Sequence, residues 1–469
     1  MSNEILFRPA HEIAAAVRAR RVSARAVTAA AIAHIEKTNK RLGAFTDPTF
    51  TRALREADAV DATIAAGAAL PLAGVPYAVK NLFDIEGVVT RAGAKINRDN
   101  PPAKADATLV RRMKDAGAVL LGALNMGEYA YDFTGENIHD GASLNPHDIG
   151  RMSGGSSGGS GTAVAAGMVA AALGSDTNGS IRVPSSFCGL FGLKPTFGRL
   201  SRTRTFPFCA SLDHLGPIAR QALDLALLFD ALQGDDLADP AQIHRPSIAA
   251  MAEIDKGTAG LRIAVADGYF RRNAMPEAHA AVDAVAAALG TSRTVTVPEA
   301  ARARAAAYVI TTAEAATLHL ARLKCRAADF DPDVRDRLLS GAMVPAAWVI
   351  EAQRFRAWFR AAMRNVFEDV DIILAPATPF HALPSGTRTI TLDEATMPAR
   401  PNIGIFTQPI SFIGLPVVAV PVWLPGAALP IGVQVIAPAW REDWALRVAR
   451  HLEQTGAVAA PVAKQLEDA

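Results

Sequence analysis

A glycine- and serine-rich stretch from Arg151 to Pro195 places the strongest constraint on how this chain folds. It contains two serine-bearing loops, GGSSGGS (Gly154 to Ser160) and SDTNGSIRVP (Ser175 to Pro184). Between them, the small apolar residues from Thr162 to Leu173 predict a buried helix that leads towards a strand. Glycines beside a serine let the backbone approach a ligand closely and turn its N–H groups inward. The stretch therefore predicts a serine nucleophile with a backbone oxyanion hole.

Composition and charge argue against several other classes of function. Among 469 residues, 48 Lys and Arg against 46 Asp and Glu leave a formal charge of +2, too balanced to indicate nucleic acid or acidic membranes as partners. The three cysteines, Cys188, Cys209 and Cys325, are too few and too scattered for a disulfide framework or a zinc site. The N-terminal residues lack the apolar core of a signal peptide, and no apolar run is long enough to span a membrane. We therefore expect a cytoplasmic protein without a metal or cofactor.

The first half of the chain alternates predicted strands and helices. An apolar strand at Val75–Val79 delivers Lys80 at its end. Asp106 is predicted to cap a helix at Ala107–Ala116, which leads into a buried strand at Ala118–Asn125. Continuous apolar strands separated by helices indicate an α/β fold whose sheet is covered on both faces.

The second half supplies further strands rather than a second core. The span Glu299–Val370 is predicted to be mostly helical, with Ala346–Phe367 as its longest piece. Apolar strands bracketed by prolines begin at Asp371, Leu415 and Ile431. Because these strands have no evident core of their own, we expect them to complete the same sheet. The sequence therefore predicts one domain over residues 1–469, with a catalytic core at about 71–220.

The chemistry depends on a serine, a second serine and a lysine. Ser180 is the candidate nucleophile, but neither serine loop contains a histidine to act as its base. Lys80 is the best alternative, because burial at the end of an apolar strand lowers the pKa of an amine. Ser156 is placed to relay the proton between them. The candidate oxyanion-hole amides belong to Thr177, Asn178, Gly179 and Ser180.

Each of these fragments also has a plainer interpretation. A strand-end lysine is usually a solvated cap or an ion-pair partner, and Gly-Ser loops are usually turns, linkers or phosphate-binding nests. The combination is more specific. GVPYAVKNLFDIEG, GGSSGGSG and GSDTNGSIRVPSSFCGLFGLKPT occur in order, with GLPVVAVP and PIGVQVIA near the C-terminus. Together they resemble the amidase signature family over nearly the whole chain.

That resemblance implies an α/β fold with one large mixed β-sheet covered by helices on both faces. It also implies a Ser–cis-Ser–Lys triad, in which Ser180 is the nucleophile, Ser156 the cis-serine and Lys80 the base. The Gly155–Ser156 peptide bond is then expected to be cis. The supporting residues implied are Ser157 in the triad network, and Asp176 and Arg182 as residues that hold the nucleophile loop.

The resemblance also bears on the substrate. Glutaminase subunits of tRNA-dependent amidotransferases, members of this family, bind a substrate carboxylate with an arginine in an AQ-x-x-R context, which corresponds to Arg356 here. Their aspartate for the substrate amino group falls near Gly404, and no acid replaces it between Pro401 and Pro409. The predicted substrate is therefore a small acid with an amide and no amino group. Further candidate substrate-binding residues flank the serine loops: Tyr131, Asn125 and Arg151.

Within the family, LAGVPYAVKNLFDIEG, RAGAKINRDNPPAKADATLV and GALNMGEYAYDFTGENIHDG resemble the group that hydrolyses 1-carboxybiuret during cyanuric acid (s-triazine) degradation. This resemblance implies release of ammonia to leave 1,3-dicarboxyurea. It also implies a homodimer of catalytic chains with a small helical accessory subunit, together a heterotetramer. Three alternatives stay open: the glutaminase component of a tRNA amidotransferase, a broader small-amide or biuret amidase, and a non-catalytic anion-binding scaffold. The scaffold is disfavoured because no GxxxxGK[ST] motif occurs.

Overall fold

A computed structural model describes residues 2–463, and within them a single 11-stranded sheet forms the centre of the molecule. Its strands are β1 Phe45–Pro48, β2 Pro76–Lys80, β3 Val119–Leu124, β4 Ala171–Asp176, β5 Phe191–Lys194, β6 His214–Ala219, β7 Ile263–Ala266, β8 Thr294–Val295, β9 Ile372–Pro376, β12 Val417–Val422 and β13 Ile431–Ile436. A separate two-stranded hairpin is formed by β10 Thr389–Leu392 and β11 Ala395–Pro398.

The sheet is mixed, as predicted. Its order is β1-β3-β2-β4-β6-β5-β12-β13-β9-β7-β8. The pairs β3–β2, β2–β4, β9–β7 and β7–β8 are parallel, and the remaining neighbours are antiparallel. Every residue of the neighbouring strands β3, β2 and β4 is buried, which requires cover on both faces of the sheet. The predicted α/β fold is confirmed.

Helices provide that cover. They are α1 Ser2–Leu6, α2 Ala10–Arg18, α3 Ala24–Leu42, α4 Phe50–Ala65, α5 Thr108–Asp115, α6 Gly158–Ala165, α7 Arg182–Phe187, α8 Ala222–Leu232, α9 Ala250–Glu253, α10 Pro276–Ala288, α11 Ala300–Arg326, α12 Pro332–Gly341, α13 Ala346–Asp369, α14 Ala399–Asn402, α15 Gln408–Phe412 and α16 Glu442–Gln454. Short 3-10 helices lie at Ile96–Asp99, Glu128–Ala130, Gly268–Arg271 and Ala327–Asp329.

Of the last two strands of the chain, β12 lies beside a strand from the first half, and β13 joins β12 to β9. In β12, Val418 pairs with Leu193 of β5, and in β13, Val435 pairs with Leu374 of β9. The sheet is therefore continuous from residue 45 to residue 436. One sheet thus contains strands from both halves of the chain, and the single domain over residues 1–469 stays a prediction.

The helix in the glycine- and serine-rich stretch begins earlier than predicted. The prediction placed it at Thr162–Leu173, but α6 covers Gly158–Ala165 and residues from Ala171 onwards already form β4. Close packing explains the glycines at the start of α6, since a Cβ on Gly159 would lie 2.6 Å from both Ala44 O and Asn125 N. Glycine here permits backbone contact, a reason that outweighs its low helix propensity.

Two smaller predictions are wrong. Asp106 does not cap α5, because its carboxylate accepts hydrogen bonds from Arg52 at 2.8 and 2.6 Å. The longest helix in the predicted helical span is α11, with 27 residues, rather than α13, with 24. Within residues 2–463, no helix combines the length and apolarity that a membrane crossing requires.

Candidate active site

The parallel pairing of β2 and β4 brings two parts of the candidate site together. Val79 pairs with Leu173, so the carboxyl ends of both strands reach the same edge of the sheet. Lys80 is the last residue of β2, and Ser175 is the penultimate residue of β4. The Nζ of Lys80 lies 2.9 Å from Ser175 Oγ. Strand register alone therefore positions the lysine beside the second serine loop.

Lys80 is fully buried, and its amine donates hydrogen bonds to two serine hydroxyl groups. Nζ lies 2.6 Å from Ser156 Oγ in addition to its contact with Ser175. Burial lowers the pKa of Lys80 to about 7, although the carboxylates of Asp176, Asp213 and Asp132 favour its charged form. A lysine with this pKa is neutral in a large fraction of molecules near neutral pH and can accept a proton.

The first serine loop presents Ser156 to Lys80. The Gly155–Ser156 peptide bond is cis, as the family resemblance implied. Ser157 follows and is also buried: its hydroxyl donates to Ser175 O at 3.2 Å and accepts from Ser175 N at 3.3 Å. The two serine loops are thus connected through Ser157 and Ser175.

The second serine loop carries Ser180, which lines a cavity. Gly179 precedes it with φ +142°, a backbone conformation that favours glycine, and a Cβ there would lie 2.2 Å from Thr407 Oγ1. Thr407 instead donates to Asn178 O at 2.6 Å, while Thr177 donates to Asp213 at 2.6 Å. Among the described residues, the backbone N–H groups of Asn178, Gly179 and Ser180 have no partner. They are therefore available to a bound oxyanion.

A buried ion pair holds the second loop in place. Arg182 donates to Asp176 through Nε and Nη2, each at 2.9 Å, and both side chains are fully buried. Asp176 also accepts from the N–H of Ile181 at 3.2 Å. Arg182 keeps the pKa of Asp176 well below its usual range. Its remaining Nη1 donates to Gln434 Oε1 at 2.7 Å, so β13 supports the loop as well.

The cavity beside Ser180 is small, about 20 Å³. Its lining residues are Ala130, Tyr131, Asp132, Phe133, Thr177, Asn178, Ser180, Phe208, Tyr308, Thr311, Arg337, Pro401 and Gln408. An outer pocket of about 320 Å³ shares Tyr308, Arg337 and Pro401 with it. These three residues therefore lie at the junction between the cavity beside Ser180 and the larger outer pocket.

Of the four predicted substrate-binding residues, the structure places only Tyr131 at this cavity. The guanidinium of Arg356 instead donates to Phe412 O at 2.6 Å and to Ser211 O at 2.8 Å. Asn125 Nδ2 donates to the carbonyl groups of Gly43 and Gly141, and Arg151 Nη1 donates to Ala382 O. These three side chains fix backbone segments, which explains why they do not face the cavity.

Several residues of the candidate site were not predicted from the sequence. Ser175 touches Lys80 directly, yet its motif position indicated only the start of a loop. Tyr308 and Thr311 lie on α11, and Arg337 lies on α12. Arg337 occurs in the polar segment PDVRDRLL, a pattern typical of a solvated helix face. No local signal distinguishes it, because its neighbours at the cavity are distant in sequence.

Several hydrogen-bond donors line the cavity. Within residues 2–463, no cluster of three or more His, Cys, Asp and Glu side chains is arranged to hold a metal ion. The donors at the cavity are hydroxyl, amide and guanidinium groups together with unpaired backbone N–H groups. Such an arrangement can bind a polar, anionic group and stabilise negative charge on an oxygen.

Comparisons with known proteins find relatives that are similar over most of the chain. Residues 26–446 match the family model described as Amidase. The chain is 54% identical over 451 residues to the AtzE subunit of 1-carboxybiuret hydrolase from Pseudomonas sp. (strain ADP), covering 95% of this chain and 98% of that protein. It is 37% identical to the corresponding glutamyl-tRNA(Gln) amidotransferase subunit of Chromohalobacter salexigens, covering 94% and 95% of the two chains.

A solved structure is similar throughout. It comes from a vestigial protein complex described as revealing the evolutionary origins of an s-triazine catabolic enzyme. It superposes with a TM-score of 0.96 at 53% identity and covers 97% of this chain and 100% of the other.

Proposed function

The chain belongs to the amidase family and is an amide-cleaving hydrolase, and on that basis we propose that it removes the terminal amide of 1-carboxybiuret as ammonia. The observation that carries the catalytic part is the contact of the buried Lys80 amine with Ser156, beside a loop whose unpaired N–H groups flank Ser180. The substrate part rests on the similarity to the Pseudomonas hydrolase.

In the proposed acylation step, Ser180 Oγ attacks the carbonyl carbon of the terminal amide. Its proton passes through the Ser156 hydroxyl to neutral Lys80, whose Nζ lies 2.6 Å from Ser156 Oγ. The carbonyl oxygen becomes an oxyanion and binds the free N–H groups between Asn178 and Ser180. When the C–N bond breaks, Lys80 returns the proton through Ser156, and ammonia leaves.

In the proposed deacylation step, water attacks the ester carbonyl and loses a proton along the same path. The bond to Ser180 Oγ then breaks, Ser180 regains its proton, and 1,3-dicarboxyurea is released. Ser157, Asp176 and Arg182 take no part in proton transfer. They are proposed to keep the two serine loops in position through the contacts described above.

The cavity also favours a substrate without an amino group. A Cβ on Gly404 would lie 2.4 Å from Phe133 Cζ, so the aromatic ring fills the space that an acidic side chain at this position would need. The acid at the cavity is Asp132. Its Oδ1 already lies 3.1 Å from Arg400 Nε and accepts a hydrogen bond from Thr134 Oγ1 at 2.9 Å. The acid at the cavity is therefore not free to bind an α-amino group, which argues against the glutaminase alternative that the 37% identity to an amidotransferase chain favours.

A substrate panel tests this proposal. Ammonia release is measured with freshly prepared 1-carboxybiuret, biuret, malonamate, malonamide and glutamine under the same conditions. We expect the highest kcat/KM with 1-carboxybiuret and the lowest with glutamine. Glutamine as the best substrate would support the amidotransferase alternative, and equal rates on charged and neutral amides would support a broad small-amide amidase.

Assembly and compartment belong to the same proposal. The solved structure with 53% identity belongs to a protein complex, which supports partner subunits for this chain. We propose a pair of catalytic chains with a small helical accessory subunit, as the family resemblance implies. Light scattering on the protein purified from its native cell should then give a mass well above the 49.3 kDa of the chain. A monomer mass would contradict it. The free thiols of Cys188, Cys209 and Cys325 support the proposed cytoplasmic location.

A further inference from the structure

Arg337 lies where the small cavity beside Ser180 meets the outer pocket. It lines both spaces, together with Tyr308 and Pro401. A cavity of about 20 Å³ accommodates only water-sized groups, so a longer substrate whose amide reaches Ser180 must extend towards this junction. Any group at the far end of such a substrate comes close to the Arg337 guanidinium.

The guanidinium of Arg337 is held in place but carries no counter-ion. Nε donates to Asp333 O at 3.0 Å, Nη2 donates to Tyr131 O, and the guanidinium carbon lies 3.9 Å from the centre of the Tyr131 ring. These contacts leave Nη1 without a hydrogen-bond partner among the described residues. The side chain is thus pre-oriented, and its Nη1 is available to donate to a ligand.

The other arginines of the outer pocket are already paired with carboxylates. Arg400 lies within 3.1 to 3.4 Å of Asp132, Asp331 and Asp333, and Arg388 lies 2.8 Å from Asp333. No carboxylate of residues 2–463 lies within ion-pair distance of Arg337. Arg337 is therefore the cation at this junction whose charge is left for a ligand.

A second donor lies beside it. The hydroxyl of Tyr131 is buried and has no hydrogen-bond partner among the described residues, and the residue as a whole is 7% exposed. Burial, with the neighbouring Tyr308 hydroxyl as a smaller cause, raises the pKa of Tyr131, which keeps the hydroxyl protonated and able to donate. An unpartnered buried hydroxyl costs free energy in the empty site and is satisfied when an acceptor binds.

We propose that Arg337, with the Tyr131 hydroxyl, binds the carboxylate of the substrate and sets the preference of this enzyme for acid amides. The inference rests on the proposed function. It assigns carboxylate binding to Arg337 instead of Arg356, the residue predicted from the sequence. Two of the guanidinium nitrogens of Arg356 donate to backbone carbonyl groups, and its side chain lies outside both spaces that Arg337 lines.

Equilibrium binding gives a test that does not depend on turnover. Malonamate, a small acid amide, is titrated into Ser180→Ala protein and into the same protein with Arg337→Gln, Tyr131→Phe or Arg356→Gln. We expect Arg337→Gln to weaken binding by about 10- to 100-fold and Tyr131→Phe by a smaller factor, since a charge-assisted contact is the stronger one. Arg356→Gln should weaken binding less than Arg337→Gln does.

Turnover supplies the specificity measurement and the control for folding. The ratio of kcat/KM for malonamate to that for malonamide should fall about 10-fold or more in Arg337→Gln. Arg337→Lys should recover part of the ratio, because lysine retains the charge without the planar fork. Arg388→Gln, which removes a paired arginine from the outer pocket, is the matched control and should leave the ratio near the parental value.

Each outcome decides a separate point. Equal losses on malonamate and malonamide, unchanged malonamate binding, or a larger effect of Arg356→Gln would overturn the role of Arg337. Failure of malonamate to bind Ser180→Ala protein at all would overturn it as well. If Arg337→Gln selectively weakens malonamate binding while the parent does not hydrolyse 1-carboxybiuret, the inference stands and the proposed substrate is wrong.

Discussion

The ring of Phe133 lies where any side chain at position 404 would project. An ideal Cβ on Gly404 would be 2.4 Å from Phe133 Cζ and 2.7 Å from Phe133 Cε2. Real Cβ atoms do not approach ring carbons so closely, so the glycine and the ring are matched to one another. The pair narrows the cavity at the position where the amidotransferase relatives are expected to have an acid.

Gly404→Asp alone is predicted to impair the enzyme. The new side chain must displace the ring of Phe133, a residue that is 8% exposed and belongs to a buried apolar cluster with Met152 and Val183. Overpacking of this kind typically costs about 1–3 kcal/mol. The free energy of unfolding from urea titrations and the rate of ammonia release should both decrease. In the double variant Phe133→Ala/Gly404→Asp, removal of the ring should restore part of the stability and raise the ratio of glutamine to malonamate turnover. If the single variant is as stable as the parent, the steric account is wrong.

Ser180→Ala is predicted to abolish hydrolysis without unfolding the protein. It removes the attacking oxygen, and loss of the covalent route typically lowers kcat by several orders of magnitude. Ammonia release measures activity, and the thermal midpoint measures folding. Ser185→Ala is a control outside the proposed mechanism, since that hydroxyl donates to Ile181 O. Residual activity of Ser180→Ala within tenfold of the parent would remove Ser180 from the mechanism.

The pH dependence of hydrolysis should report Lys80. With a folded-state pKa of about 7, the amine becomes protonated as the pH falls through 7, and kcat should fall with it. Lys80→Met, similar in volume, should be nearly inert, and Lys80→Arg should fail because arginine does not lose its proton. A Lys80→Arg enzyme with near-parental turnover would contradict the assignment of the base.

Lys80 also affects how the stability of the fold depends on pH. The unfolded chain, in which lysine has its ordinary pKa of about 10.4, binds more protons than the folded chain between about pH 7 and pH 10. The Lys80 contribution to the free energy of unfolding therefore increases with pH over that window. Lys80→Met should remove this increase, which denaturant titrations of both proteins at pH 7 and pH 9.5 will show. An identical pH trend in the two proteins would argue against a lowered pKa.

Arg182→Gln is predicted to destabilise the fold strongly. It leaves the fully buried Asp176 carboxylate without its charged partner, a change that typically costs about 3–5 kcal/mol. Loss of the partner also raises the pKa of Asp176. The free energy of unfolding of the variant should therefore decrease less steeply than that of the parent as the pH is lowered. Arg151→Gln, which removes a partly exposed arginine, is the control and should change the unfolding free energy little.

The sequence could predict the candidate triad because its members lie in contiguous motifs. Lys80 ends an apolar strand, and Ser156 and Ser180 lie in glycine-rich loops, so the chemistry was visible in short stretches. The cavity was less predictable, since Tyr308 and Arg337 come from different helices and meet the loops only through tertiary packing. For Arg356 a motif match indicated a ligand, whereas the folded chain uses the guanidinium to hold the carbonyl groups of Phe412 and Ser211.

The contact between Arg182 and Gln434 has a consequence for synthesis of the protein. The two residues are 252 positions apart, and Gln434 lies on β13, near the end of the chain. Contacts of such separation form late, because a long segment must first be ordered. On the ribosome, the nucleophile loop thus lacks one of its supports until β13 has emerged. A nascent chain that already contains the three triad residues is then expected to gain activity only when synthesis is almost complete.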